Sequence, residues 1–170
     1  LATGEIVGML NADDFFADQE VMSAVEQAFS NSNAGIVYGN LDYINSAGKI
    51  IRKWESRTCG KNSFQWGFMP PHPTFYCKRN LFEKYGFYSL EYGSAADYEF
   101  MARLMHKWQV RSLYLNKVMV KMQVGGVSNS NLTNRIKAWS FDLKAMRENN
   151  VPLPVLAIVL KPMRKIFQFL

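Results

Sequence analysis

Cysteine is scarce in this chain. Cys59 and Cys77 are too few for a disulfide scaffold and too far apart for a CxxC redox or zinc unit, so both are expected to be ordinary buried or loop thiols in a reduced, cytoplasmic setting. Long apolar runs are also absent. A membrane-spanning helix needs ~20 uncharged residues, and the longest candidate stretch, 151–160, contains Pro152 and Pro154. HExxH, GxSxG and Walker sequences do not occur, which leaves zinc proteolysis, nucleophile-elbow hydrolysis and P-loop phosphoryl transfer without support. Positive charge is in modest excess. The 20 Lys and Arg against 14 Asp and Glu leave +6, scattered along the chain, so nucleic acid is not an expected partner.

What is present suits one packed core. The 170 residues are 48% hydrophobic, enough to bury roughly 70% of the unfolded surface. Residues 1–4 read as the tail of a helix closed by Gly4, so an N-terminal part is expected before Leu1. Residues 5–10 read as a strand covered on both faces. Asp18 can cap a helix to about Ser30, with Val21, Met22, Val25, Ala28 and Phe29 on one face. Strands are expected at 35–39, 41–44, 49–54 and 74–78, a short helix at 80–85, and a longer one at 95–108. Residues 110–115 and 118–124 read as a strand pair turning at Asn116-Lys117, and helices follow at 131–149 and 155–170. Mixed elements in this order predict an α/β fold, a mixed sheet flanked by helices with further helices at the C-terminus. A division near residue 128 separates 1–128 from a helical segment, 129–170.

Open α/β sheets place ligands outside the carboxyl ends of their strands, and Asn11, Asp13 and Asp14 follow such a strand. Removing two adjacent carboxylates from water costs several kcal/mol unless a cation compensates. A hard divalent ion with oxygen ligands, Mg²⁺ or Mn²⁺, is the natural partner; a solvated turn is the plainer reading. At 95–108, Glu99 aligns with Arg103 and His106 as a solvated, structural ion pair. Asp97 aligns instead with Met101, Leu104, Met105 and Trp108, pointing inward; a capping box with Ser94 would account for it equally well. His72 sits in Pro70-Pro71-His72-Pro73, where the prolines restrict the backbone and can hold an imidazole toward a cleft, or leave it bonded to main chain. Gly125-Gly126-Val127-Ser128 can bring backbone N–H groups near an anion or make a plain turn.

In order and spacing these segments resemble the family 2 glycosyltransferases of the GT-A fold. Ala2-Thr3-Gly4-Glu5 through Leu10-Asn11-Ala12-Asp13-Asp14 is similar to the family's segment containing the DXD-type motif. Pro71-His72-Pro73-Thr74-Phe75, followed by Tyr85-Gly86-Phe87-Tyr88, is similar to its acceptor-side stretch. Ala96-Asp97-Tyr98-Glu99-Phe100 with Arg103-Leu104 is similar to the helix that supplies its catalytic base, and Gly125-Gly126-Val127-Ser128 to its closing loop. Two departures stand out: Asn11 takes the place of the first DXD acid, and the N-terminal nucleotide-binding half has no counterpart here.

The resemblance implies a partial GT-A domain over 1–128, the metal and acceptor half. It implies inverting transfer of a sugar from a nucleotide-sugar donor to a saccharide or lipid-linked acceptor, in bacterial cell-surface polysaccharide synthesis. Asp97 would be the base and Asp13 and Asp14 the Mg²⁺ or Mn²⁺ ligands. Asn11, Gly126 and Ser128 would serve the donor phosphates, with His72 and Glu99 on the acceptor side. A rival of another class is a non-catalytic basic module for membrane surfaces or proteins. In 155–170, Leu156, Val159, Leu160, Met163, Phe167 and Leu170 share one face and Lys161, Arg164, Lys165 and Gln168 another. That pattern suits either peripheral contact with the inner face of the cell membrane or packing on the domain.

Overall fold

The computed structural model describes residues 2–124, 132–166 and 168. Six strands, β1 (Ile6–Gly8), β2 (Asp14–Phe16), β3 (Ile36–Ile44), β4 (Ile50–Trp54), β5 (Tyr76–Lys78) and β6 (Ser112–Gln123), form one mixed sheet. Among the described residues five α-helices accompany it: α1 (Val21–Ser30), α2 (Asn80–Tyr85), α3 (Ala96–Ala102), α4 (Leu132–Glu148) and α5 (Pro154–Ile166). The α/β expectation is met. The sheet runs β1-β5-β3-β6-β2, with β4 also on β3; β3 and β6 are parallel and every other pairing is antiparallel.

Strand β3 organises the molecule. Its side chains alternate between two cores: Val37 and Leu41 pack with Val21, Val25 and Phe29 of α1, while Ile36 and Tyr38 face Phe64, Phe75, Tyr98 and Phe100. Full burial of each such side chain stabilises the fold by roughly 1.5–3 kcal/mol. Met146 of α4 and Ala157 of α5 belong to the second core, so both C-terminal helices pack on the same body as α3. Gly39 is required where β3 meets β6, since a Cβ there would lie 2.4 Å from Met119 Sδ and 2.8 Å from the Lys117 carbonyl.

One edge of β3 is shared between two short partners. Strand β5 pairs with Ile36 and Val37, and β4 with Leu41 to Ile44, leaving 38–40 without a strand neighbour there. Loop groups fill the gap. Tyr38 Oη donates to the Arg57 carbonyl at 2.8 Å and accepts from the Cys59 N–H at 2.9 Å; Asn40 Oδ1 accepts from the Ser56 N–H at 2.7 Å. The Thr74 hydroxyl accepts from the Gly39 N–H at 3.3 Å and lies 3.1 Å from the Gly39 carbonyl and 2.8 Å from that of Pro71. Buried backbone groups must be paired, and these pairings fix the loops that carry Arg57 and His72.

Several expectations are corrected. The strand expected at 5–10 is three residues long and lies at the sheet edge, half-buried, with Met9 and Leu10 exposed. Asp14 opens a strand on the opposite edge rather than lying in a turn. The two segments 35–39 and 41–44 are one strand, and 110–115 with 118–124 are also one, parallel to β3. Asn116-Lys117 is a bulge and not a hairpin turn: Asn116 Oδ1 accepts from Asn40 Nδ2 at 3.3 Å and from Tyr114 Oη at 3.1 Å, so β3 holds the strand extended. The helix expected at 95–108 passes into a π turn over Arg103–Lys107. Met22 is exposed, and Trp108 stacks on Tyr85 outside the core.

Candidate active site

His72 begins the 3₁₀ turn His72–Thr74, directly after Pro71. With Thr74 bonded to β3, this turn has little freedom, and it places His72 Nδ1 3.9 Å from Asp97 Oδ2. Asp97 lies in the first turn of α3, whose N-cap is Ala95 and lacks a side-chain cap bond; the capping box with Ser94 is not formed. Freed from that local duty, the Asp97 carboxylate is about one-third exposed and, together with His72, lines a cavity of about 1400 Å³. Among the described residues its ionic neighbour is His72.

Asp14 opens β2 at the edge of the sheet and lies within electrostatic reach of His72. Asp14 is 7% exposed, and Asn11 Nδ2 donates to its Oδ2 at 2.8 Å while its buried Oδ1 has no partner. Burial raises the Asp14 pKa above 3.8, the Asn11 hydrogen bond opposes that, the Asp13 charge adds to it, and His72 lowers it again. Asp13 is exposed, and neither Asp13 nor Asp14 lines the large cavity itself. Asn11, expected to serve donor phosphate, spends its amide on Asp14.

The raised Asp14 pKa makes a prediction about pH. The folded state holds this proton more tightly than the unfolded chain, so stability falls as pH rises from 3.8 toward the higher folded value and stays reduced above it. Asp14→Asn removes that deficit while keeping an oxygen for Asn11. In the absence of divalent metal, the urea midpoint of the variant should exceed that of the parent near neutral pH, and the difference should vanish below about pH 3.5. Equal midpoints across the range would contradict it.

Glu99 is corrected most strongly. It is 3% exposed, not solvated. Arg103 Nη2 donates to its Oε2 at 2.9 Å and Asn149 Nδ2 to its Oε1 at 3.1 Å, while His106 faces the Lys61 and Asn150 carbonyls instead. Glu99 is thus sealed between α3 and α4 and does not reach the cavity on the acceptor side. Gly126 and Ser128 lie outside the described residues. Burial raises the Cys59 thiol to about 11 and the Cys77 thiol to about 12, which leaves both unreactive at neutral pH.

The cavity also contains groups that the motifs did not single out. Lys161 Nζ pairs with Asp142 Oδ1 at 2.7 Å and sits over the Tyr98 ring at 4.2 Å; Arg57, Lys137 and Arg164 line the wall as well. Lys161 and Arg164 turn inward, so Val155, Leu156, Val159 and Met163 are the exposed side of α5. The one available sequence signal was the cluster of cations after Val151; its direction was set by packing. The chain matches no family model and no curated protein.

Proposed function

We propose that this chain is the metal and acceptor half of an inverting glycosyltransferase, moving a sugar from a nucleotide-sugar to a saccharide or lipid-linked acceptor in cell-surface polysaccharide synthesis. The observation that carries this reading is Asp97, uncapped and beside His72 at 3.9 Å on the cavity wall, with Asp14 within electrostatic reach of the same His72. In this reading Asp97 accepts the proton of the acceptor hydroxyl as that oxygen attacks the anomeric carbon from the face opposite the leaving diphosphate. One displacement inverts the centre, and no covalent enzyme intermediate forms. His72 stands beside the Asp97 carboxylate at 3.9 Å, on the acceptor side of the cavity.

Asp13 and Asp14 are the residues to hold Mg²⁺ or Mn²⁺. The donor set fits such an ion: adjacent hard oxygens, one of them exposed, with a buried Asp14 Oδ1 still unpartnered. Among the described residues no three potential ligand side chains cluster, so water and substrate phosphate would complete the shell. When bound, the ion supplies charge neutralisation for the departing diphosphate. Calorimetric titration with Mn²⁺, with and without UDP, tests this. We expect Mn²⁺ binding that UDP strengthens, and about tenfold or greater weakening of both by Asp13→Ala. No heat at millimolar Mn²⁺ would contradict the reading and favour the non-catalytic interaction module.

Peripheral membrane contact at the cytoplasmic face is the second part of the reading, since a lipid-linked acceptor requires approach to a bilayer. No described helix is long and apolar enough to cross one. The outward residues Val155, Leu156, Val159 and Met163 support contact by α5, with apolar area rather than charge as its basis. The chain should pellet with phospholipid vesicles, and Val159→Asp should reduce the bound fraction about tenfold. Equal pelleting of the two proteins would contradict this part.

A further inference from the structure

Arg57 and Arg164 face the same cavity from distant parts of the chain. Arg57 lies over the Phe68 ring at 5.8 Å, and Arg164 Nη1 donates to the Trp66 carbonyl at 3.3 Å. Among the described residues neither makes an ion pair: Asp142 is taken by Lys161, Asp97 faces His72, and Glu55, also on the wall, pairs with neither arginine. Burial first, and the Arg57 charge second, hold Arg164 below its ordinary pKa, so the two guanidinium groups repel each other. Lys137, whose ammonium lies 5.9 Å from the Phe141 ring centre, adds a third cation to the wall.

Lys53, Arg57, Lys137, Lys161 and Arg164 outnumber Glu55, Asp97 and Asp142 on this wall, and an anion that enters the cavity offsets the excess of positive charge. Planar guanidinium groups match phosphoryl oxygens in pairs, and a phosphoryl group carries enough charge to satisfy two of them. The donor diphosphate is a poorer match, because Asp13 and Asp14, its metal-bearing residues, do not line this space. Asp97 does. An acceptor with its hydroxyl at Asp97 would therefore extend its anionic portion toward the arginines.

We propose that Arg57 and Arg164, assisted by Lys137, form a phosphoryl-binding site, and that the acceptor is a saccharide carrying a phosphate or diphosphate group held there. This rests on the reading of the cavity as an acceptor site. Calorimetric titration of the full chain with inorganic phosphate, in EDTA at low salt, tests it without metal or sugar transfer. Binding should weaken roughly tenfold or more in Arg57→Gln and in Arg164→Gln, with circular dichroism confirming that both variants fold, and part of it should return in Arg57→Lys. In a second arm with Mn²⁺ in place of EDTA, UDP should not displace the phosphate. Absence of phosphate binding to the parent, unchanged affinity in both Gln variants, or displacement by UDP with Mn²⁺ would each overturn the proposal. Such a failure leaves the Asp97 assignment standing, and loss of the Asp97 assignment leaves the phosphate titration unaffected.

Discussion

Asp97→Asn should reduce sugar transfer by about 10²–10⁴-fold, the range over which a positioned general base contributes. The amide preserves shape but cannot take the acceptor proton. The loss should fall on kcat rather than on the KM for donor, because Asp13 and Asp14, the residues assigned to the metal and through it to the donor, do not line the cavity that Asp97 faces. Two features make the expectation sharp: Asp97 is the cavity-facing acid beside His72, and no capping bond at the start of α3 gives it a structural occupation. Measurement in an enzyme that also holds the donor-binding half decides it. Transfer at the parental rate would remove Asp97 from the chemistry.

Glu99→Ala should destabilise the protein by about 3–5 kcal/mol, the usual consequence of leaving one member of a buried ion pair alone. Arg103 would keep its bonds to the carbonyls of Tyr85 at 2.7 Å and Phe87 at 2.8 Å, but its charge would be uncompensated. Asn149 Nδ2 would lose one of its two acceptors, retaining the Ala145 carbonyl at 2.9 Å. Denaturant titration measures the change, and a loss below about 1 kcal/mol would show that the cluster is worth no more than an exposed pair. Together with Asp97→Asn, this variant separates the two acids of one helical turn, one for stability and the other for chemistry.

Helical periodicity conveyed a good deal of this architecture. The helix 80–85 was legible from its closing glycine, and most of α1 from the spacing of Val21, Val25, Ala28 and Phe29, all buried. Strand length and pairing were less legible, because they depend on partners distant in sequence. Asn116 looks like a turn residue until Asn40 is placed beside it. The i,i+4 spacing of Glu99 and Arg103 gave the pair correctly but not its burial, which comes from α4 laying Asn149 over it. At the candidate site, Asp97 and His72 were visible as an inward acid and a proline-held imidazole, and the structure brings them together. Arg57 and Arg164 carried no motif. Their shared wall arises from the bonds that tie residues 56–59 to β3 and from the packing of α5 by its cationic side.

Paramagnetic broadening by Mn²⁺ in the amide spectrum of the ¹⁵N-labelled chain tests most directly whether the two acidic groups serve one site. An ion held at Asp13 and Asp14 should broaden their own signals first, and those of His72 and Asp97 at the same substoichiometric concentrations, with Asp13→Ala abolishing all four effects together. Broadening at Asp13 and Asp14 that leaves His72 and Asp97 sharp up to saturation would contradict the account.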